Sequence, residues 1–385
     1  MIALIYLDNA ATTFPKPCTV IKSIVSANYC AANPGRGGYK LSAAAGEDVF
    51  EARRKAGRLF SCDEEGVIFT KNCTEALNTA IKGILKKGDH VIISSLEHNS
   101  VLRPVVRLKE ELGIDYSIFT VVPDNTVETV GNVKKAIKSN TRLIICTHVS
   151  NVFGTVLPVR EIARTAHENG ILFVLDAAQS AGAFDINIKE DKYDIVCVPG
   201  HKGLFGPMGT GMLLLSGNVS PIQLTEGGTG SFSMNMAQPL MLPDRYESGT
   251  LNYPGIRGLS AGLDFIRSEG GVRAFYEHEK GLADYLREGL ENIKGIKVYS
   301  EMMCKNNAPV LSFNVGKIPC TAVSEMLDKE NIAVRSGFHC SYLAHKIHNP
   351  DFDGAVRISP GYFNTKKQIN FLCFCLNKIA NQNIL

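Results

Sequence analysis

The chain has 385 residues, of which 45% are hydrophobic, so it can bury a sizeable core and more than one domain is expected. Its 41 basic residues nearly balance its 38 acidic ones, which argues against a nucleic-acid partner and against an anionic membrane surface. No apolar run approaches the ~20 residues that a membrane-spanning helix needs.

The chain contains 11 cysteines, an odd number with irregular spacing and without a CxxC pair. This usage argues against a secreted disulfide framework and against a zinc site, so we expect no metal and a reducing, cytoplasmic compartment. The opening sequence MIALIYLDN has no basic leader, and we interpret it as a first strand rather than a signal peptide.

Along the chain, helical patterns alternate with short β-branched runs from residue 43 to about residue 250. The predicted helices cover residues 43–60, 74–85, 101–112, 132–138 and 159–169. The predicted strands cover residues 66–70, 91–93, 116–122, 142–146, 171–175, 194–198 and 211–215. Such alternation predicts an α/β fold with a mostly parallel, seven-stranded sheet and helices on both faces. No crossover helix fits between residues 203 and 210, so the last strand is expected to be antiparallel to its predecessor.

The composition changes after Pro254 and Gly255, where the pattern becomes that of a smaller α+β domain. The predicted helices there cover residues 260–266, 272–293 and about 321–330, with a last helix from residue 365. The predicted strands cover residues 310–315, 332–335 and 355–358. We therefore expect a large domain of residues 16–254, and a small domain formed by residues 1–15 and 255–385.

Asp176 and Lys202 stand at the ends of two consecutive predicted strands, and this pairing is the strongest indication of chemistry in the chain. Asp176 follows the apolar run ILFVL, and Lys202 lies in the turn PGHKG. Consecutive strands tend to be neighbours, and ligands bind beyond their carboxyl ends. A lysine that forms a Schiff base and an aspartate held against a pyridinium nitrogen are what pyridoxal phosphate (PLP) requires. A surface lysine and a helix-capping aspartate remain the alternatives.

Other segments carry side chains that suit the same cofactor. A strand-to-helix junction places Cys73 and Thr74 at a helix N-terminus, where unpaired N–H groups favour a phosphate. Simple helix capping by Thr74 is the alternative. His98 follows another predicted strand and could stack on a flat ring, although an ordinary loop histidine is about as common there. Gln179 could donate a hydrogen bond to the ring hydroxyl oxygen.

Two regions of the chain supply candidates for substrate binding. Asn151 follows a strand and offers an amide, and Arg357 could clamp a substrate carboxylate through two hydrogen bonds, with a salt-bridged strand arginine as the alternative. Arg335 begins the segment RSGFHC and is a further candidate. In this segment Cys340 follows His339, and an imidazole beside a thiol favours the nucleophilic thiolate. Because ten other cysteines are present, a structural role for Cys340 is the alternative.

Taken together, the motifs resemble those of the cysteine desulfurases, within the class V aminotransferase group of fold-type I PLP enzymes. In chain order they are YLDNAATTFPKP, NPGRGG, TEALN, EHNSVLRP, THVSNVFGT, LDAAQSAG, GHKG, RYESGTLN and RSGFHC. The resemblance covers nearly the whole chain. The RSGFHC segment is similar to that of desulfurases with a short catalytic loop. Pro199, Asn72, Cys73 and Tyr39 depart from the usual pattern, as in a side branch of the family.

The resemblance implies a role for each candidate residue. Lys202 resembles the lysine that binds PLP covalently, and Asp176 the partner of the pyridine nitrogen. The other implied cofactor ligands are His98, Gln179, Cys73, Thr74, His201 and, from a second subunit, Thr250. Cys340 resembles the persulfide-forming nucleophile, and His98 is the expected proton relay. The implied ligands of the substrate are Asn151, Arg335 and Arg357.

The implied reaction removes sulfur from L-cysteine, giving L-alanine and a persulfide on Cys340. An acceptor protein then takes the sulfur, as in iron–sulfur cluster assembly. The implied enzyme is a cytoplasmic homodimer with no nucleic-acid or membrane partner. Selenocysteine lyase, which uses the same residues, remains an alternative. Two others are another PLP lyase, epimerase or aminotransferase in which Cys340 is incidental, and a catalytically silent sulfur-carrier or scaffold protein.

Overall fold

A computed structural model describes residues 4–30, 32–35, 37–349 and 353–382, apart from the side chains at 300 and 382. The helices are α1 (Cys18–Cys30), α2 (Lys40–Phe60), α3 (Cys73–Ile84), α4 (Asn99–Leu112), α5 (Thr126–Ala136), α6 (Val159–Glu168), α7 (Ile188–Asp191), α8 (Tyr253–Ser268), α9 (Gly271–Glu291), α10 (Cys320–Lys329), α11 (Tyr342–His348) and α12 (Lys366–Gln382). The strands are β1 (Ile5–Tyr6), β2 (Val67–Thr70), β3 (His90–Ser94), β4 (Asp115–Phe119), β5 (Thr141–Thr147), β6 (Leu172–Asp176), β7 (Ile195–Pro199), β8 (Gly211–Leu215), β9 (Ile296–Val298), β10 (Leu311–Val315), β11 (Ile332–Ala333), β12 (Arg335–Gly337) and β13 (Ala355–Ile358). Residues 1–3 of the predicted first strand and Arg36 of the NPGRGG motif lie outside the described residues. None of the described helices is long and apolar enough to cross a membrane.

The central sheet of the described chain has seven strands in the order β2-β8-β7-β6-β5-β3-β4. The pairs from β7 through β6, β5 and β3 to β4 are parallel. Strand β8 is antiparallel to both of its neighbours, β7 and β2. The prediction of a mostly parallel, seven-stranded sheet is therefore confirmed, and so is the reversed direction of β8. The reversal arises because the link between β7 and β8 is too short to hold a crossover helix.

The central sheet is buried on both faces, as its apolar strands require. In β5, Ile144 belongs to one apolar core and Ile145 to the other, because successive side chains of a strand point to opposite faces. The core around Ile144 includes side chains of α2, α6 and α8, and the core around Ile145 includes side chains of α3 and α4. With both faces covered by helices, the strand ends are the part of the sheet that remains open to a ligand.

A second sheet follows the central one in the chain, with four antiparallel strands in the order β12-β13-β10-β9. Its core contains side chains of α9, α10 and α12 together with Ile5 and Leu7, and β1 pairs in parallel with β11. The start of the chain therefore packs with its C-terminal part. Helix α8 begins at Tyr253 and packs against α1 and α2. The domain limits at residues 16 and 254 stay a prediction.

Candidate active site

The carboxyl ends of five strands meet at one edge of the central sheet and carry most of the predicted site residues. Strands β7, β6, β5 and β3 are parallel neighbours in that order, and β2 has the same direction on the far side of β8. At or beyond these ends lie His201 and Lys202 (β7), Asp176 (β6), Asn151 (β5), His98 (β3), and Cys73 and Thr74 (β2). The parallel pairing of β6 with β7 brings the ends that carry Asp176 and Lys202 side by side.

Lys202 lies in the turn after β7, with its amine withdrawn from solvent. The pKa of this amine is lowered to about 8, mainly by burial and also by the positive charge of Arg357, while the charge of Asp176 opposes the shift. Such an amine loses its proton far more readily near neutral pH than an ordinary lysine does. Because only the unprotonated amine attacks a carbonyl carbon, Lys202 is suited to imine formation.

The turn that carries Lys202 contacts the turn after β6 through two glycines. A Cβ atom at Gly182 would lie 2.2 Å from the carbonyl oxygen of Gly203, and φ at Gly182 is +86°. Any other residue at this position would collide with the backbone and adopt a strained conformation. The contact fixes the spacing between the loops that carry Asp176 and Lys202.

Asp176 is 2% exposed and ends β6 beside the first turn of α3. Its Oδ1 atom accepts hydrogen bonds from the N–H of Ala178 at 2.9 Å and from the thiol of Cys73 at 3.6 Å. Burial raises the pKa of Asp176, whereas the Ala178 bond and the charge of Lys202 favour the ionised form. A buried carboxylate with these weak partners would gain from a protonated heteroaromatic nitrogen in the site.

The N-terminus of α3 offers an anion site at the same edge of the sheet. Asn72 caps the helix by accepting a hydrogen bond from the Glu75 N–H at 2.9 Å, so the capping role considered for Thr74 belongs to Asn72. The N–H groups of Cys73 and Thr74 have no acceptor within the helix, and they can bind a phosphate together with the positive end of the helix dipole. The Thr74 hydroxyl lies 2.8 Å from the hydroxyl of Ser100.

His201 precedes Lys202 and has a buried ring nitrogen, Nδ1, without a hydrogen-bond partner among the described residues. Burial lowers the pKa of His201 to about 4, and the charges of Lys202 and Lys16 contribute to this shift. The ring is therefore neutral at physiological pH. A buried polar atom without a partner marks a place where a polar ligand would be held.

His98 is the N-cap residue of α4, and its Nδ1 atom accepts a hydrogen bond from the Ser100 N–H at 3.0 Å. This bond assigns the ring proton to Nε2 and fixes the orientation of the ring. Burial lowers the pKa of His98 to about 4, with contributions from the charges of Lys202 and Arg335. A neutral ring held in this way can stack on a flat ligand and can pass a proton at Nε2.

Two further residues predicted to bind the cofactor have these surroundings within the single chain. The side-chain amide of Gln179 donates to the carbonyl oxygen of Ala10 at 3.0 Å. Thr250 is exposed, and it lines a cavity of about 250 Å³ together with Lys71 and Glu75, beside the start of α3. The expected contact of Gln179 with the ring oxygen, and that of Thr250 with the phosphate of a second subunit, stay predictions.

The loop that carries Cys340 is held against the sheet edge by its backbone. The Cys340 carbonyl oxygen accepts a hydrogen bond from the Asn99 N–H at 2.8 Å, and the His339 carbonyl oxygen accepts one from the Asn151 amide at 2.7 Å. His339 and Cys340 both adopt the left-handed backbone conformation, with φ of 52° and 58°, which such contacts must maintain. Cys340 is exposed, and Asn99 directly follows His98. The loop thus anchors the Cys340 thiol at the mouth of the site.

Arg357 is 1% exposed and lies beside this loop. Its Nη2 atom donates to Asp8 Oδ1 at 2.6 Å and its Nη1 atom to the Asn151 carbonyl oxygen at 3.0 Å, whereas Nε has no partner among the described residues. The Nη2 atom of Arg335 lies 3.9 Å from the sulfur of Cys340. Two guanidinium groups with unused donors make this side of the site suitable for a carboxylate.

The side chain of Asn151 is occupied at both ends by the Cys340 loop. Its oxygen accepts a hydrogen bond from the Ser341 hydroxyl at 2.6 Å, and its nitrogen donates to the His339 carbonyl oxygen. In this structure the amide that the sequence predicts as a substrate ligand therefore supports the loop of Cys340.

Two carboxylates at the site have no role in the sequence prediction. Asp8 is the partner of Arg357, and it directly follows an apolar strand as Asp176 does, which is a signal that the sequence contained. Glu97 is fully buried; burial raises its pKa to about 8, and it accepts a hydrogen bond from the Thr147 N–H at 2.9 Å. Nothing in the sequence shows that Glu97 turns inward, because loop glutamates are ordinarily solvated.

The mostly parallel sheet, with a half-buried lysine, a buried aspartate and a helix N-terminus at its carboxyl edge, defines a fold-type I α/β enzyme. The family model described as Aminotransferase class-V matches residues 5–372 of this chain. The chain therefore belongs to the class-V aminotransferase family.

The chain is similar to cysteine desulfurases in sequence and in structure. A probable cysteine desulfurase of Methanothermobacter thermautotrophicus is 35% identical over 386 residues, which cover 98% of this chain and 94% of that protein. A probable cysteine desulfurase of Pyrococcus abyssi is 32% identical over 388 residues, with the same two coverages. The apo structure of the cysteine desulfurase from Thermococcus onnurineus has a TM-score of 0.87 and 29% identity, and the match covers 98% of this chain and 95% of that one.

Proposed function

We propose that the protein is a PLP-dependent cysteine desulfurase that converts L-cysteine to L-alanine and forms a persulfide on Cys340. The observation that carries this proposal is the hydrogen bond between the Cys340 carbonyl and the Asn99 N–H, which anchors an exposed thiol next to His98. The same sheet edge holds Lys202 and Asp176. The relatives support this proposal, since two proteins that match 98% of this chain are named probable cysteine desulfurases.

The donor set at the sheet edge fits PLP. Lys202 supplies an amine of lowered pKa for an imine, and Asp176 supplies a buried carboxylate for the pyridine nitrogen. The first turn of α3 and the unpartnered Nδ1 of His201 supply donors for the phosphate. When bound, PLP supplies an electron sink for negative charge at the substrate α-carbon. The protein supplies orientation and electrostatics.

The substrate carboxylate is assigned to the arginines beside the Cys340 loop. Arg357 has an unused Nε donor, and its guanidinium is held rigidly by Asp8 and by the Asn151 carbonyl. A rigid guanidinium loses little conformational freedom when it binds, so its hydrogen bonds contribute more to affinity. Arg335, close to the Cys340 sulfur, adds positive charge on the same side.

Two groups are proposed to move protons. The Lys202 Nζ atom, with a pKa of about 8, can accept a proton from the substrate α-carbon near neutral pH and return it. The Nε2 atom of His98 carries the proton of a neutral ring, because Nδ1 is occupied by the Ser100 N–H. His98 can therefore donate a proton and recover it without ever becoming a stable cation.

Cys340 carries out the sulfur transfer. Its thiolate attacks the substrate sulfur, so that a sulfur–sulfur bond forms and the carbon–sulfur bond of the substrate breaks, and the carbon takes up a proton. Cysteine and one enzyme thiol thus give alanine and one enzyme persulfide, with no external oxidant. The guanidinium of Arg335, 3.9 Å from the Cys340 sulfur, favours negative charge on that sulfur.

We further propose that the enzyme acts as a cytoplasmic homodimer and passes its sulfur to an acceptor protein. Thr250 is exposed, as are the large side chains of Met234, Met236 and Leu240 in the link between β8 and α8. Exposed apolar side chains this close together in sequence are expected to be covered by another protein surface, and a symmetric pair would cover both copies alike. Light scattering tests this: a fully active monomer would contradict the homodimer.

The function is tested on protein purified with PLP. Borohydride reduction followed by peptide mass spectrometry should place PLP on Lys202, and a Lys202→Ala control should carry none. With L-cysteine and a reductant, equal amounts of alanine and sulfide should appear. Pyruvate in place of alanine would indicate a lyase, and turnover of L-selenocysteine without Cys340 would indicate a selenocysteine lyase. A protein that takes up no PLP would be a carrier or scaffold.

A further inference from the structure

The segment from Asp8 to Lys16 makes a group of contacts with the turn that carries Lys202. The Lys16 amine donates to the His201 carbonyl oxygen at 2.6 Å. The same oxygen accepts hydrogen bonds from the Thr12 hydroxyl and from the Thr13 N–H, each at 3.1 Å. The Thr13 hydroxyl donates to the Lys202 carbonyl oxygen at 2.8 Å. Three donors from one segment therefore converge on the carbonyl group that precedes Lys202.

Lys16 is an unusual donor for a backbone carbonyl group. The side chain is half-buried, and among the described residues no carboxylate lies within ion-pair distance of its amine. Burial lowers the pKa of Lys16 to about 8, which is the sign of a charge that the protein does not stabilise with an opposite charge. A buried ammonium group without a carboxylate is unfavourable unless its hydrogen bonds are satisfied. Here the His201 carbonyl oxygen accepts one of these hydrogen bonds.

We propose that Lys16 is a positioning residue, which holds the peptide between His201 and Lys202 in place and thereby fixes the base of the Lys202 side chain. The proposal rests on the proposed PLP chemistry of Lys202. Lys16 would thus help to orient the amine of Lys202, which lies 186 residues further along the chain (202 minus 16).

The local backbone explains why the turn needs such support. Gly200 and Gly203 flank His201 and Lys202, and glycines allow the peptide between them many conformations. The Lys202 amine lies at the end of a flexible four-carbon side chain. A movement of the Lys202 Cα atom therefore also displaces the amine. A charge-assisted hydrogen bond to the His201 carbonyl restrains that peptide more strongly than a neutral one would.

The test compares three variants of the holoenzyme and of its PLP-free form. Lys16→Met removes the donor and keeps the length of the side chain, and Lys16→Arg keeps the charge and the donor. Lys55→Met is the matched control, because Lys55 is also partly buried and its amine joins α2 to α8 by donating to Ser260 and Asp264 at 3.0 and 2.6 Å. The readouts are the rate at which PLP-free protein captures PLP on Lys202, and the visible circular dichroism per bound PLP.

We expect Lys16→Met to slow capture about tenfold, the order of effect of one charge-assisted hydrogen bond, and to weaken the visible dichroism at least twofold. Lys16→Arg should restore both. Lys55→Met should lower the melting temperature and leave both readouts at the wild-type level. Wild-type capture and dichroism in Lys16→Met would overturn the proposal.

A second variant covers the case in which Lys16→Met does not fold. Thr12→Val removes another donor to the same His201 oxygen and should slow capture in the same direction; if it does not, the proposal is wrong. Failure of the proposed function can be told apart from failure of the Lys16 proposal, because wild-type protein would then capture no PLP on Lys202 at all. That result concerns Lys202 and not Lys16.

Discussion

Arg335 and Arg357 lie directly opposite each other on the neighbouring antiparallel strands β12 and β13. Like charges in opposed positions repel, and among the described residues Asp8 is the carboxylate that pairs with Arg357. Burial lowers the pKa of Arg357, and the charge of Arg335 lowers it further. The two arginines therefore leave an excess of positive charge inside the site, which the carboxylate of an amino acid would neutralise.

Arg357→Lys is expected to raise KM for L-cysteine about tenfold or more and to change kcat less. A lysine keeps the charge but cannot offer the planar set of donors, and one charge-assisted hydrogen bond contributes roughly 1.5–3 kcal/mol. Steady-state kinetics measure the split, and the visible spectrum of bound PLP should not change. Arg257→Lys, in a partly exposed ion pair with Asp48, is the control. An unchanged KM would remove Arg357 from substrate binding.

Asp176→Asn is expected to lower kcat by on the order of 10²-fold, because a neutral amide no longer favours a protonated pyridine nitrogen. The variant should fold and should still bind PLP, with an altered visible spectrum. Asp194→Asn is the matched control, since Asp194 is also buried and accepts hydrogen bonds from Phe173 N–H and His167, at the opposite edge of the same sheet. Asp194→Asn should lower the stability of the protein and leave the visible spectrum of bound PLP unchanged. Near-normal turnover by Asp176→Asn would contradict the assignment.

Cys340→Ser should separate the chemistry of the cofactor from that of sulfur. The variant should bind PLP and L-cysteine normally, because Lys202 and Arg357 are unchanged, yet sulfide release should fall to background, since a neutral hydroxyl is a poor nucleophile. Mass spectrometry of wild-type protein given L-cysteine without reductant should find one added sulfur on Cys340. Cys30→Ser, at an exposed cysteine of α1, should behave as the wild type. Added sulfur on a different cysteine would refute the mechanism.

Acidification should destabilise the part of the protein around the Cys340 loop. His339 and His345 are in contact, with Nδ1 and Nε2 3.4 Å apart, and both are buried. Burial lowers the pKa of His345 from its usual 6.5 to about 4, and burial also lowers the pKa of His339. Between pH 6.5 and pH 4 the unfolded chain binds more protons than the folded chain. The free energy of unfolding therefore rises with pH, and this stability is lost as the pH falls from about 6.5 to 4.

The measurement is the melting temperature at several pH values between 7 and 4.5. Wild-type protein should lose stability steadily over this window, and His345→Gln should lose less, because one buried group that must be protonated is gone. The exposed His278 provides the control His278→Gln, which should follow the wild type. An equal pH dependence in wild type and His345→Gln would show that His345 does not contribute.

Much of the large sheet could be predicted from the sequence, because its strands are short apolar runs separated by helices, and such runs form parallel neighbours. The antiparallel direction of β8 could be predicted because the link between β7 and β8 is too short for a crossover helix. Boundaries were less exact where capping decides them: the helix predicted from Val101 begins at Asn99, because the His98 ring accepts the Ser100 N–H. The strand predicted at 332–335 is divided, since Ile332 and Ala333 pair with β1, whereas Arg335 pairs with β13.

The contacts within the site could be predicted less well than its position. Strand ends locate Lys202 and Asp176 at one edge, but the partner of Arg357 depends on a pairing with Asp8 across 349 positions of sequence. Asn151 illustrates the same limit, because the amide expected at the substrate is used by Ser341 and by the His339 carbonyl. Helix α11, which follows the Cys340 loop, was not predicted, since seven residues contain too few turns for a periodic signal.

The contact between Asp8 and Arg357 also bears on how the protein is made. Asp8 leaves the ribosome long before Arg357, because 349 positions of sequence separate them, so the two can meet only after β13 has been made. Contacts so far apart in sequence form late, because the chain between them must first be ordered. The central sheet can assemble while the chain is still growing, but a nascent chain that ends before β13 lacks the charge pair between Asp8 and Arg357. With the substrate role proposed for Arg357, binding competence is therefore reached only after β13 has been made, and a chain truncated before β13 would lack it.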